Sequence, residues 1–334
     1  MNKIIIIILF SILKLNALNQ NHIELGMPIK TGKFDLLVTR VVKDTLLYVV
    51  GYDTTLHVPS WVSWNLSKGW YGPADRFSGN FLTDTSLPTK VYRVKHSDYT
   101  NSGYDRGHMV RSEERTLSDE QNKATFFLTN ILPQTAELNR QTWLSLEYYC
   151  EDLCKKQNKE LFVIAGGLSY NSKINNLIGI PDTCYKIIVV LDSGQGLKDI
   201  KFDTQIIAVK MPNNVDVKNH NWTEYICTVD DIEASTGYDY LNLIPKQIQD
   251  LMERITFVPT GVETKKKEDD EKIYPNPANN IISTDYIGEF EIYDNLSNVV
   301  FKGNTFDGNI NVVMLGNGIY FLKTKSIKKF VISK

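Results

Sequence analysis

Histidine is scarce in this chain, five in 334 residues, and cysteine is scarcer at four. A zinc centre built from paired Cys and His has little to draw on, and neither Cys184 nor Cys227 has a second ligand at finger-like spacing. The patterns H-E-x-x-H, G-x-x-x-x-G-K-[ST] and G-x-S-x-G are missing, which removes the metallopeptidase, P-loop and serine-elbow chemistries. Charge of one sign is missing too. At a net −2 no chain-wide basic field announces a nucleic-acid binder, so any grip on phosphate has to be local. Beyond the N-terminus no apolar run approaches the roughly 20 residues of a membrane-spanning helix.

What is present suffices for a full core and a second unit, since 42% of the residues are hydrophobic and 11% aromatic. The start, MNKIIIIILFSILKLNALNQ, has Lys3, an apolar run from Ile4 to Leu13 and the small residue Ala17, the outline of a signal peptide over residues 1–17. Export into an oxidising space fits an even number of cysteines in disulfides. Their pairing is not readable. Cys150 and Cys154, one helical turn apart, suit either a bridge or a metal corner, with structural cysteines favoured over zinc.

Alternation in Phe34–Val42 and Leu46–Gly51 predicts a hairpin turned by Lys-Asp, followed by a loop-rich aromatic stretch holding Trp61, Trp64, Trp70 and Tyr71. Lys90–Lys95 is expected as a short strand. The spacing of Leu138, Trp143, Leu144, Leu146, Tyr149 and Leu153 predicts an amphipathic helix from Glu137 to about Lys156. Leu161–Ala165, Tyr185–Leu191 and Gln205–Lys210 have the length and apolarity of buried strands, and Pro245–Ile255 closes the region as a helix. The mixture predicts an α+β domain over 30–257. A charged, turn-rich linker follows over 258–272, then a small all-β sandwich over 273–334.

The stretch SGYDRGHMVR at 102–111 sets His108 two residues from Arg106 and three from Arg111. Neighbouring cations disfavour imidazolium and keep the ring neutral, as a general base beside an anionic substrate requires. Downstream, Asn130, Asn139 and Glu147 offer hard oxygens, which suit magnesium better than zinc because magnesium keeps waters and takes few protein ligands. Asn139 and Glu147 are separated on a regular helix by roughly 12 Å of rise. Only a distorted helix start would let both ligate one ion, so Asn139 is assigned to the metal and Glu147 to its surrounding water. Singly, each residue has a plainer reading: His22, His57, His96 and His220 are taken as surface or satisfied histidines, Asn130 as a cap or turn, Glu147 as one half of an ion pair.

The ordered set YDRGHM at 104–109, FFLTNILPQ at 126–134, and LNRQTW with LEYYC at 138–150 resembles the DNA/RNA non-specific endonucleases, sugar-non-specific nucleases with a ββα-metal active site. The resemblance implies His108 as general base, Asn139 as direct Mg2+ ligand with Mn2+ as a substitute, Arg106 as phosphate clamp and Glu147 as organiser of the metal's waters. It adds Asn130 as the family's active-site asparagine, Arg76 in ADRFSGNF as an upstream phosphate arginine, and Asp105 in support. DNA and RNA are the implied substrates, and 5′-phosphate ends the products. One departure stands out. Many members carry proline shortly after the histidine where this chain has Arg111, which either meets phosphate or pairs with Glu113 or Glu114.

YPNPANN at 274–280 and GNGIYFLKTKSIKKFVISK at 316–334 resemble the sorting domain of the type IX secretion system, implying that machinery as partner and a secreted or cell-surface location. The competing readings are a non-catalytic nucleic-acid or surface-binding module on the same fold, and a phosphodiesterase for a smaller anionic ester.

Overall fold

The computed structural model describes residues 22–257, 273–324 and 327–334. The expected signal peptide and the expected linker lie outside the described residues. By contacts the chain divides into two units. The first holds the residues through Asp199 and Gln205–Ile244; Ile200–Thr204 and Pro245–Ile255 group with the C-terminal strands in the second.

In the first unit the strands are β1 (Leu36–Val42), β2 (Thr45–Asp53), β3 (Val58–Leu66), β4 (Asp105–His108), β5 (Ile131–Gln134), β6 (Lys159–Leu168), β7 (Ser172–Ile174), β8 (Ile178–Ile180), β9 (Thr183–Asp192), β10 (Gln205–Pro212) and β11 (Ile226–Cys227). The helices are α1 (Asp119–Ala124), α2 (Trp143–Lys155) and α3 (Val229–Thr236). A seven-stranded antiparallel sheet runs in the order β1-β2-β3-β6-β9-β10-β11. Lys43 and Asp44, at φ 46° and 63°, turn the β1–β2 hairpin as the sequence predicts, because two left-handed residues match the twist of the strands.

Strand β3 corrects the expected aromatic loop. Every residue of VPSWVSWNL is buried, so alternation disappears, and Pro59 sits beside a register irregularity where a missing N–H is tolerated. Trp61 crosses Gly51 on β2, where an added Cβ would lie 2.2 Å from the indole. Lys90–Lys95, expected as a strand, is irregular.

Strands β4 and β5 pair alone, Asp105 opposite Gln134 and His108 opposite Ile131, and the chain then enters the helix. This ββα element carries the quoted motifs, and the domain is α+β as expected. The predicted helix begins with a π-helical turn over Leu138–Thr142 before α2, an insertion that interrupts the regular 3.6-residue period. On α2 the buried stripe is Trp143, Leu146, Glu147, Cys150, Leu153 and Cys154, so a carboxylate lies on the face turned to the core.

No disulfide forms: all four cysteines are free, with Cys150, Cys154 and Cys184 buried. Cys150 and Cys154 both lie in the core, where the Cys154 thiol donates to the Leu66 carbonyl at 3.6 Å, and burial pushes the Cys150 and Cys184 thiols up to about 12.

The second unit contains α4 (Lys246–Met252) and strands β12 (Ile273–Tyr274), β13 (Ile281–Thr284), β14 (Gly288–Tyr293), β15 (Val299–Thr305), β16 (Asn309–Asn311), β17 (Gly318–Lys323) and β18 (Ile327–Ile332). A three-stranded sheet, β12-β13-β16, and a four-stranded sheet, β15-β14-β17-β18, share one core in which Ile282 and Ile310 meet Phe290, Ile292, Leu322 and Phe330. Helix α4, expected to close the first region, groups here through Leu251, which joins Phe202, Tyr293 and Phe321.

Candidate active site

His108 ends β4 at 8% exposure, its ring edge-on to Phe126 at 4.9 Å and tilted against Phe81 at 5.2 Å. Burial among these rings, helped by the nearby Arg76 and Arg111 charges and opposed by Glu113, lowers its pKa to about 3. His22 is lowered as far, again first by burial, so the shift alone does not distinguish them. Hydrogen bonding does. His22 Nδ1 accepts from the Asn65 N–H at 2.9 Å and Nε2 meets the Leu46 carbonyl at 2.7 Å, which satisfies both nitrogens. His108 Nε2 is sealed from solvent without a partner. Such an orphan in a folded core asks for an explanation in function.

Of the two cations the sequence places beside His108, Arg111 acts on it, while Arg76 takes the part expected of Arg106. Arg106 shares its strand face, as residues i and i+2 must. Its guanidinium, however, extends over Phe81 and Tyr99 to the His96 carbonyl at 2.9 Å, leaving Nε buried and unpartnered, and its charge acts on His96. Arg76 reaches His108 from a distant loop, lying over the Phe126 ring at 5.1 Å.

Asn130 is fully buried, and its side chain is committed to the main chain. Nδ2 donates to the Val110 and Thr125 carbonyls, both at 2.9 Å, while Oδ1 accepts from the Val110 N–H at 3.0 Å. This clamps the turn directly after His108 and engages both ends of the amide with the main chain.

Asn139 lies in the π turn, half-buried. Its Nδ2 donates to Asp105 Oδ2 at 3.0 Å, and Asp105 is itself gripped by Arg140 through two bonds of 2.7 Å. A carboxylate can only accept, so the pairing fixes which end of the amide is nitrogen and turns Oδ1 away as the free oxygen. That donor fits a hard, largely hydrated ion such as magnesium. Among the described residues no group of three His, Cys, Asp or Glu ligands gathers at His108, so the donor set does not fit a zinc cage.

Glu147 sits between two cations, Arg111 Nε at 3.6 Å and Lys186 Nζ at 3.9 Å. Burial raises its pKa to about 7 against the pull of Lys186 and Arg111. Lys186, 1% exposed on β9, was missed from sequence because it interrupts an apolar strand; a lysine inside such a run was the available signal. Arg111, whose role the sequence left open, binds three carboxylates: Glu113 at 3.1 Å, Glu147, and Glu151 at 2.8 Å. Glu114 instead accepts from Trp64 Nε1 at 2.8 Å.

A paired ββ unit delivering a histidine to a helix that carries an oxygen donor is the arrangement of the metal-dependent ββα nucleases. The family model described as DNA/RNA non-specific endonuclease matches residues 28–247, and the chain belongs to that family. A nuclease of Nostoc sp. is 39% identical over 234 residues, spanning 70% of this chain and 84% of that protein. Mitochondrial nuclease EXOG of Xenopus laevis is 29% identical over 224 residues, and this chain spans 60% of its length. The solved EndoG/EndoGI complex contains a chain matched with a TM-score of 0.56 at 25% identity, covering 68% of this chain and 92% of that one. The protein is thus an endonuclease of a metal-dependent family. Residues 272–334 match the secretion system C-terminal sorting domain, which supports a secreted or cell-surface location, and no helix of the described residues is long and apolar enough to cross a membrane.

Proposed function

We propose that this is a secreted, Mg2+-dependent, sugar-non-specific endonuclease that hydrolyses DNA and RNA to 5′-phosphate products. The observation that carries the reading is the contrast between His22, whose nitrogens are both engaged, and His108, equally buried but unbonded among arginines.

With Nε2 sealed, Nδ1 is left to meet a water, take its proton and direct the oxygen at phosphorus in line with the leaving 3′ oxygen. Arg76 offers a guanidinium fork to the phosphate oxygens, where negative charge grows in the five-coordinate transition state, and Arg106, whose Nη2 is engaged with the His96 carbonyl, adds its charge to the same task. Asn139 Oδ1 would hold the ion, and Glu147 would order water around it. When bound, the ion supplies positive charge beside the leaving oxygen. Asp105 keeps Asn139 in its orientation, and Asn130 keeps the His108 turn in place. None of these groups is arranged to read a base, so single- and double-stranded DNA and RNA should all be cut, with binding that weakens as salt rises.

Export is proposed to begin at the N-terminal signal peptide and to finish through type IX machinery that reads the C-terminal unit. The test of activity is cleavage of plasmid and RNA by purified protein with and without magnesium, beside His108→Ala. Activity indifferent to chelation, or untouched by the substitution, would overturn the reading.

A further inference from the structure

The loop after His108 places an anion beside a proposed phosphate-binding arginine. Arg76 Nη1 lies 3.3 Å from Glu113 Oε1 and touches Ser112 Oγ. The other oxygen of Glu113 accepts from Ser112 Oγ at 2.9 Å and faces Arg111 Nε at 3.1 Å. Glu113 is therefore held from behind by the Ser112 hydroxyl and the Arg111 guanidinium. Although burial opposes ionisation, the Arg111 charge and these hydrogen bonds keep its carboxyl below the usual range.

Arg111 does not need this carboxylate. Glu151, itself paired with Lys155, and Glu147, beside Lys186, also flank it, so Glu113 is only one of three carboxyl groups around this guanidinium. Its Oε1 faces Arg76. Both side chains stay reachable, Arg76 at 52% and Glu113 at 37% exposure, so an arriving phosphate shares the arginine with a resident anion.

Coulomb energy is linear in charge. An internal phosphodiester carries one negative charge, whereas a terminal phosphate carries nearly two above its second pKa near 6. A fixed carboxylate therefore opposes the terminal phosphate with twice the energy, and the ratio it imposes on binding is squared.

We propose that Glu113 is a specificity-determining residue that disfavours terminal phosphate at the Arg76 subsite, directing the enzyme to internal bonds and releasing the 5′-phosphate product. This rests on the phosphate-binding reading of Arg76.

The test uses the full chain with magnesium and measures inhibition of plasmid cleavage by two trinucleotides. One carries a 5′-phosphate and the other a 5′-methylphosphate of equal size and single charge. Glu113→Gln should tighten the singly charged probe about twofold and the doubly charged one about fourfold, within the range for a partly exposed ion pair. Glu113→Ala, which removes the same charge with a different shape, should reproduce the ratio. Equal factors for the two probes, or no change in either, would overturn the proposal. Arg76→Ala separates the two levels. If it weakens both probes while Glu113→Gln shows no charge preference, only the proposal fails; if it leaves both unaffected, the phosphate reading of Arg76 fails with it.

Discussion

Asp105 and Asn139, 34 positions apart, meet through one 3.0 Å hydrogen bond that decides which atom of the amide faces outward. The bond ties the first strand of the ββα element to the π turn before its helix, so a loss on either side reorients the oxygen. Asp105→Ala should weaken apparent magnesium affinity by about 10- to 100-fold, the usual effect of losing a partner that orients a metal ligand. Asn139→Ala should weaken it further. Magnesium titration of plasmid cleavage, with Mn2+ binding followed independently, checks both; unchanged affinity in Asp105→Ala would leave Asp105 as no more than the anchor of Arg140.

His108→Asn should fold normally and lose at least about a hundredfold in rate, the scale of a positioned general base. It should also alter the pH dependence of stability. The folded ring stays neutral to about pH 3, whereas the unfolded one takes a proton near 6.5. Between those values the unfolded state binds more protons, so the stability present above pH 6.5 is lost as pH falls, by about 1.4 kcal/mol per unit for each such histidine. His22 contributes in the same sense and remains in the variant. Denaturant unfolding from pH 7 to 4 should therefore show the wild type losing stability faster than His108→Asn, and parallel curves would contradict the assignment.

Lys186→Met should be costly in a pH-dependent way. The raised Glu147 pKa means that the folded chain takes up a proton as pH falls from about 7 towards the unfolded value, which stabilises it on the acid side. Removing the nearby cation raises that pKa further. Destabilisation of about 3 kcal/mol is expected at pH 8, where the carboxylate is charged and buried, and clearly less at pH 5. Thermal or urea melts of both proteins at the two pH values supply the comparison.

A chain ending at residue 257 should keep nuclease activity and lose delivery outside the cell, because His108, Asn139, Arg106, Arg76 and Glu147 all precede that point; Phe202 and Leu251 give up Tyr293 and Phe321, so it should also melt at a lower temperature. Specific activity of purified protein and the distribution between medium and periplasm in a host with the secretion system are the two readings. Loss of specific activity would make the C-terminal unit part of the enzyme.

The legible parts of the molecule were those with local signals. Lys43-Asp44 between alternating segments announced its hairpin, and the spacing of Leu138, Trp143, Leu146 and Leu153 its helix. Strand β3 was hidden because burial on both faces erases alternation and Pro59 mimics a loop. At the site, sequence order brought the motifs together but not the directions of long side chains. Arg106, two residues from His108, turns to His96, while Arg76 arrives from 32 positions upstream to lie over Phe126. The pairing of Arg111 with Glu113 was one of the alternatives the sequence offered, whereas its contacts with Glu147 and Glu151 and the buried Lys186 depend on how α2 rests against the sheet, and no spacing rule carries that information.

The unpaired cysteines have a consequence beyond packing. A fold closed without a covalent bridge needs neither an oxidant nor a disulfide isomerase to reach its final state, and has no bridge for a thiol to cut. Such an enzyme matures on the same schedule in any redox surroundings, and once released it should tolerate the reductants that dismantle many extracellular proteins.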